Sequence, residues 1–181
     1  MSEPGYRSDL HQRLLAMPKT QLIGMLEDAA KNWLAHDGLW FQAVEQHCGM
    51  ETAIQLDAEA WADFTAIEAR RIMQRQGIAP GGGLEALERA LGYRLYAYLN
   101  VQEAVRKDER TLVFRMNDCR VQSARQRKGL PDFPCRPVGE VEYANFARAI
   151  DPRIRTRCLA CPPDAHPSEF WCAWEFTLED E

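Results

Sequence analysis

The sequence lacks any apolar run near the roughly 18 residues that a membrane span requires. Its opening residues also lack the long apolar stretch of a signal peptide. Basic residues are not in excess, since 22 Lys and Arg stand against 27 Asp and Glu, for a net charge of −5. This balance disfavours general binding to nucleic acid or to an anionic membrane. We therefore expect a cytoplasmic protein that has neither nucleic acid nor a membrane as its partner.

A phosphate-binding loop is missing as well. The glycine run Gly81-Gly82-Gly83 has no Lys-Ser or Lys-Thr pair after it and no predicted strand before it. The sequence also carries no DNA-reading motif and no output domain. These absences argue against a phosphate-loop site and against a complete transcription factor.

The chain of 181 residues, 46% of them apolar, has the size of about one domain with a substantial core. Its hydrophobic spacing divides it into a helical part, residues 1–99, and an α+β part, residues 100–181, which we expect to form one compact unit. The predicted fold class is α+β. A helical N-terminal part packs on a small, mostly antiparallel sheet, and a cysteine metal clip lies in the C-terminal half.

Local signals predict where the elements end. Asp37-Gly38 is expected to break a helix that begins near Thr20, and Asp57 is expected to cap a later helix. One further helix is predicted over residues 84–98. In the α+β part a helix is predicted over residues 138–150, and strands are predicted over residues 101–105, 111–116, 153–160 and 171–178.

Four of the six cysteines have the spacing of a metal site, namely Cys135, Cys158, Cys161 and Cys172. Reduced cysteines favour metal binding or catalysis over disulfides, and four thiolates suit tetrahedral zinc. Such a closed shell leaves no position for water, so this zinc would be structural. Open alternatives are an iron–sulfur cluster, a redox-active CxxC pair, and reduced core cysteines without a metal.

The segments around these cysteines resemble the 4-vinyl reductase type of small-molecule-binding domain. The similar segments are Phe133-Pro134-Cys135, Arg157-Cys158-Leu159-Ala160-Cys161 and Cys172-Ala173-Trp174-Glu175-Phe176. That family includes the sensor module of phenol-responsive transcription activators. The resemblance implies a structural zinc at the four cysteines, with Cys158 standing where the family often has a glutamate.

The chain also resembles the mostly uncharacterised proteins related to L-2-amino-thiazoline-4-carboxylate hydrolase. This resemblance covers about residues 30–178. It rests on Trp40-Phe-x-x-Val44-Glu45-x-x-x-Gly49-Met50, on Arg115-Met-Asn-Asp-Cys119-Arg120 and on the cysteine-rich tail. It implies membership of a group, and the hydrolase activity does not follow from it.

Cys119 lies outside the four-cysteine set, in a polar segment after a predicted strand. We expect Arg115, Arg120 and Arg125 to lower its pKa and make it a nucleophile, or to bind a carboxylate substrate. A half-buried inert thiol and a further metal ligand are the alternatives.

Glu45 is the second catalytic candidate, because a carboxylate beside large aromatic side chains has a raised pKa and can act as an acid or a base. Its alternative role is a salt bridge or a helix cap. The candidate ligand-binding residues are Trp40, Asn117, Arg120 and Gln122.

Two functions follow from these features. The first is a metal-binding, small-molecule-binding protein with a sensor, carrier or accessory role, with its pocket between the helices and the sheet; it is compatible with a homodimer. The second is a hydrolase that opens a small amide or thiazoline-like ring with Cys119 or Glu45. An iron–sulfur protein in electron transfer is the third hypothesis.

Overall fold

The computed structural model describes residues 5–180, with residues 5–8 described by their backbone only. Residues 1–4, on which part of the signal-peptide expectation rests, lie outside this range. Among the described helices, none combines the length and the apolar character that a membrane crossing needs. The elements are α1 (Gly5–Leu15), α2 (Lys19–Cys48), α3 (Met50–Gln76), α4 (Gly83–Leu91), a 3-10 helix (Leu95–Tyr98), β1 (Val101–Asp108), β2 (Thr111–Asp118), α5 (Arg120–Arg127), α6 (Arg136–Ile150), β3 (Ile154–Ala160) and β4 (Cys172–Leu178).

Helix α2 is a single helix of 30 residues, so the predicted break at Asp37-Gly38 is wrong. A glycine inside a helix costs only about 1 kcal/mol relative to alanine, and tertiary packing readily outweighs this cost. Here the packing comes from Trp33, whose ring centre lies 6.1 Å from that of Trp61 and 6.0 Å from that of Phe64. Asp37 therefore lies within a helix rather than in a turn.

Helix α3 is also continuous, so the predicted cap at Asp57 is wrong. The helix begins directly after Gly49, whose φ of 84° separates it from α2. Asp57 consequently lies about two turns inside the helix. The helix predicted over residues 84–98 is correct only in its first half, because α4 ends at Leu91 and the 3-10 helix follows after a turn.

The four strands form an antiparallel sheet in the order β1-β2-β4-β3, which confirms the predicted α+β class. In this register Cys172 lies opposite Met116, and Trp174 lies between Phe114 of β2 and Cys158 of β3. Residues directly opposite one another share a face of a sheet. Cys158, Cys172 and Trp174 therefore lie on the same face.

Helix α6 covers this face of the sheet. Tyr143 of α6 stacks on Trp174 with the ring centres 4.8 Å apart, and Trp174 is only 1% exposed. Gly139 permits this approach, because a Cβ atom there would stand 2.5 Å from Cζ2 of Trp174. Helix α3 packs on α6 from the other side, where Thr65 Oγ1 donates to the Glu142 carbonyl at 3.1 Å.

A buried arginine joins α3 to α6. Arg94 is 2% exposed and precedes the 3-10 helix. Its Nε donates to Oε2 of Glu68 in α3 at 2.9 Å, and its Nη1 lies 2.6 Å from Oε1 of Glu142 in α6. Its guanidinium carbon also lies 4.7 Å from the ring centre of Phe146. One cation thus balances a carboxylate from each helix.

We predict that Arg94→Met lowers the free energy of unfolding by about 3–5 kcal/mol, because it leaves Glu68 and Glu142 buried without their cation. Arg106→Met is the matched control, since Arg106 pairs with Glu88 at a side-chain exposure of 36%. This surface pair is expected to contribute less than about 1 kcal/mol. Urea unfolding monitored by circular dichroism measures both losses, and equal losses would contradict the prediction.

Candidate functional site

A cavity of about 430 Å³ lies between the N-terminal helices and the sheet. Its walls come from α2, α3, the 3-10 helix, α5, α6 and strands β2 and β4. The volume falls within the roughly 300–1,000 Å³ of small-molecule sites, which are also mainly apolar with a few polar groups. The apolar part of this lining includes Leu34, Trp61, Tyr96, Met116, Phe133 and Val138.

Helix α5 and the loop after it form one wall, which is held by hydrogen bonds within the protein. Gln122 is 1% exposed, and its side-chain amide donates to the Phe133 carbonyl and accepts from the Phe133 N–H, both at 2.8 Å. Phe133 meets Phe41 of α2 at a centroid distance of 4.8 Å. Arg125 binds both carboxylate oxygens of Glu45 at 2.8 and 3.1 Å. These contacts fix α5 against α2.

Glu45 has the opposite electrostatics from those predicted for an acid or base. Hydrogen bonds from Arg125 hold the pKa of its carboxyl below the ordinary value, so the expected raising of the pKa is wrong. An ionised carboxylate in a bidentate arginine pair is a poor proton donor and a weak base. Glu45 instead forms the salt bridge that was its alternative role, and it positions α5.

Cys119 lines the cavity, but the arginines expected to activate it are engaged elsewhere or exposed. Arg125 binds Glu45, Arg115 pairs with Glu103, and Arg120 is exposed. Burial raises the pKa of the Cys119 thiol to about 12, so the expected lowering is wrong. Because the thiolate is the nucleophile, a thiol that stays protonated at neutral pH reacts slowly.

Three of the four predicted metal ligands line the cavity together with Cys119, and we call this group the thiol floor: Cys119, Cys135, Cys161 and Cys172. The sulfur atoms of Cys135 and Cys161 are 3.4 Å apart. Hydrogen bonding to Cys135 and Cys172, together with burial, raises the pKa of Cys161 far above its ordinary value. The fold gathers these thiols because Cys135 directly precedes α6, Cys161 directly follows β3 and Cys172 opens β4.

The fourth predicted ligand, Cys158, lies beside a second cavity, which is lined by Thr156 and Arg136 among others. Burial raises its pKa to about 11. Among residues 9–180, whose side chains the structure describes, no group of three or more Cys, His, Asp or Glu has the arrangement of a metal site. The structure therefore leaves the cysteine metal clip a prediction, and its thiol floor contains Cys119 where we expected Cys158.

Two of the four candidate ligand-binding residues line the cavity. Gln122 is held by Phe133, and Arg120 lies on the exposed side of the lining. Trp40 is 68% exposed and does not belong to the lining. Asn117 also lies outside the lining, and alternation along β2 places it on the opposite face from Met116.

Helices α2, α3 and α6 form one side of the cavity, which we call the helical wall. Three carboxylates on this wall were not among the predicted site residues. They are Asp37 of α2, Asp57 of α3 and Glu142 of α6, and all three line the cavity. Burial, followed by the charges of Asp37 and Glu142, raises the pKa of Asp57 to about 7. Burial likewise raises the pKa of Asp37 and that of Glu142. The helical wall is therefore an acidic region with limited access to water.

The sequence contained a signal for these carboxylates. Asp37 falls four residues after Trp33, and Asp57 falls four residues before Trp61, so each lies on the apolar stripe of its helix. A carboxylate on a buried stripe is uncommon unless it is paired or functional. If Asp37 is taken as a helix break and Asp57 as a helix cap, their position on the apolar stripes is missed.

We predict that ionisation of Asp57 makes the protein less stable as the pH rises towards and through about 7. Between the ordinary pKa of an aspartate and this raised value, the folded protein keeps a proton that the unfolded chain releases, so lower pH favours folding. One pKa unit corresponds to about 1.4 kcal/mol, so the effect is of the order of 2–4 kcal/mol. Because asparagine does not ionise, Asp57→Asn removes this part of the pH dependence.

Asp63→Asn serves as the control, because Asp63 is exposed on the same helix. Urea unfolding at about pH 5 and pH 8 gives, for each variant, the slope of the free energy of unfolding against pH. The Asp63 variant should keep the pH dependence of the natural chain. In the Asp57 variant, most of the decline in the free energy of unfolding between these two pH values should disappear. Identical slopes in the two variants would contradict the prediction.

Comparison with known proteins identifies a family whose function is unknown. A family model described as a family of unknown function, DUF6125, matches residues 15–178. No curated protein matches the chain, and no solved structure matches it. The resemblances to the 4-vinyl reductase type of domain and to the thiazoline-carboxylate hydrolase relatives stay predictions. Because the match runs from the end of α1 to the last residue of β4, the chain belongs to the DUF6125 family.

Proposed function

We propose that this protein binds a small molecule in the cavity between its helices and its sheet, in a sensor, carrier or accessory role. The observation that carries this proposal is the cavity itself, with a volume of about 430 Å³ and a mainly apolar lining. Protein interiors in general contain few voids larger than a water molecule. A cavity of this size is therefore expected to bind a ligand.

The wall at α5 supports the proposal further. Gln122 and Arg125 are 1% and 4% exposed, and both use their hydrogen-bonding groups to hold the loop after α5 and helix α2. A wall fixed in this way keeps its shape when a ligand enters, which lowers the entropy cost of binding.

The neutral dye Nile red provides a test that needs no knowledge of the ligand. Ala124 lines the cavity on α5, so Ala124→Phe fills part of the space. Ala43→Phe adds the same ring at an exposed position of α2 that lies outside the lining. We predict saturable dye binding that is about tenfold weaker or more in the Ala124 variant, because a phenyl ring displaces the dye, and unchanged in the Ala43 variant.

The emission of the dye measures its dissociation constant for each variant. Equal affinity in the natural chain and in the Ala124 variant would place the dye outside the cavity and count against the proposal. Unfolding curves of both variants show whether the ring is accommodated without loss of the fold.

We further propose that the thiol floor holds a metal, with zinc favoured and an iron–sulfur cluster as the alternative. The support is the donor set, since Cys135, Cys161 and Cys172 are reduced, lie close together and are accessible from one cavity. Soft thiolates select zinc and iron–sulfur clusters. Cys158 is the predicted fourth ligand, and Cys119 is the alternative fourth ligand. Bound there, zinc would tie the start of α6 to strands β3 and β4.

Metal content with visible absorption, measured on protein purified without oxygen, tests this proposal. We expect about one zinc per chain and no colour. Cys161→Ser should abolish the metal, while Cys158→Ala and Cys119→Ala identify the fourth ligand by which of them loses it. Cys48→Ala is the control, because Cys48 is exposed on α2. A colourless protein without metal would contradict the proposal, and a brown protein with iron and sulfide would replace zinc by a cluster.

The hydrolase hypothesis receives no comparable support, because Cys119 is a protonated thiol and Glu45 is an ion-paired carboxylate. It stays a prediction, as do the homodimer, the cytoplasmic location and the expectation that nucleic acid and membranes are not partners.

A further inference from the structure

We propose that the ligand of the cavity is a small organic cation, with an amine or amidine head that binds the carboxylates of the helical wall and an apolar body that fills the rest of the space. This inference rests on the proposed function, because it assigns a chemical class to the ligand of the same cavity.

The helical wall places several carboxylates beside a single buried guanidinium. Arg94 is the one cation that the described residues place against Glu68 and Glu142, at 2.9 and 2.6 Å. Asp37 and Asp57 also line the cavity, and no salt bridge within residues 9–180 involves either of them. Glu68 and Glu142 therefore share a single guanidinium, and Asp37 and Asp57 add two more carboxylates without a salt bridge. Burying charge without a partner is costly, so a ligand that brings positive charge gains most from this wall.

Other basic side chains at the cavity are committed elsewhere. Lys31 pairs with Glu27 and Asp28 on the exposed side of α2, at 4.0 and 3.4 Å. Arg125 is held by Glu45. The remaining basic residues of the lining are exposed, and they are Arg120, Arg127 and Lys128. His36 is a further basic group, and its charge opposes the effect of burial on the pKa of Asp37. These groups leave the negative charge of Asp57 without a salt bridge within residues 9–180.

Glu142 supplies an independent observation. Its side chain is 9% exposed and lines the cavity. Its Oε1 lies 2.6 Å from Nη1 of Arg94, and Arg94 is shared with Glu68. A carboxylate has about four acceptor positions, so a donor from outside the chain can add to the contact that Arg94 supplies. An ammonium or amidinium group is a donor of this kind.

The aromatic side chains beside these carboxylates suit the same ligand. Trp61 and Tyr96 both line the cavity, and their rings stack with centroids 5.9 Å apart and an angle of 15° between planes. Trp61 also hydrogen-bonds to Asp57, which places an aromatic ring next to the carboxylate. Aromatic faces attract cations, and Arg94 already makes this contact, with its guanidinium carbon 5.7 Å from the ring centre of Trp61 and 5.5 Å from that of Tyr96. An anion would meet repulsion here, and a neutral ligand would leave the excess charge unpaired.

Three probes of one shape test the inference by isothermal titration calorimetry at about pH 8, where Asp57 is mostly ionised. They are 1-naphthylmethylamine, 1-naphthylmethanol and 1-naphthoate, which are a cation, a neutral alcohol and an anion. We expect the amine to bind at least about tenfold more tightly than the alcohol, with the carboxylate weakest, because only the amine adds a charged hydrogen bond to the carboxylates.

Asp57→Asn should remove most of the preference for the amine over the alcohol, while Asp63→Asn, exposed on the same helix, should keep it. Asp37→Asn offers a second route if the Asp57 variant fails to fold, and should reduce the same ratio. The ratio of the two affinities is the readout, so a general loss of structure does not imitate the expected result.

The outcomes separate this inference from the proposed function. If the alcohol or the carboxylate binds as tightly as the amine, or the Asp57 variant keeps the natural preference, the cation assignment is overturned and the cavity remains a ligand site. If Nile red binds in the cavity and none of the three probes does, the cation assignment is overturned as well. If neither Nile red nor any probe binds, both the proposed function and the cation assignment fall.

Discussion

The guanidinium of Arg94 lies between two helices from different parts of the chain, with Glu68 of α3 on one side and Glu142 of α6 on the other. Transfer of such a group out of water costs several kcal/mol, at a rough estimate, unless paired carboxylates repay it. The pairing therefore fixes how α3 and α6 approach each other. Because α6 also lies on the sheet, this pairing helps to set the position of the helices relative to the strands, together with the contacts of Thr65 and Tyr143.

The same interaction accounts for one of the three carboxylates that line the cavity. Glu142 pairs with Arg94 and also lines the cavity. Asp57 lines the cavity too, and it forms no salt bridge with this guanidinium. An apolar wall would be cheaper to fold, since replacing buried charges by well-packed apolar side chains is often neutral or stabilising. Uncompensated carboxylates in a cavity thus point to a use outside stability, and the binding of a cation is the use that satisfies their charge.

How much the sequence predicts differs between the two halves of the chain. Strands β3 and β4 and helix α6 follow from local patterns, because alternation and helical spacing act within a few residues there. The convergence of Cys135, Cys161 and Cys172 follows as well, since strand pairing brings the end of β3 close to the start of β4. In the helical half, Asp37-Gly38 and Asp57 imitate a break and a cap, and aromatic packing between α2 and α3 overrides both signals. No local pattern carries that long-range packing, and the acidic wall depends on it.

Helix α6 connects the two chemical regions of the cavity. Cys135 lies at its start, beside the thiol floor, and Glu142 lies seven residues further along. Seven residues are close to two helical turns, so the two side chains point in a similar direction about 10 Å apart along the axis. A metal at the thiol floor would hold the first turn of α6 against β3 and β4, and with it the depth at which Glu142 meets a ligand. The structural role proposed for the cysteines and the binding role proposed for the carboxylates are therefore parts of one arrangement, in which the first sets the geometry of the second.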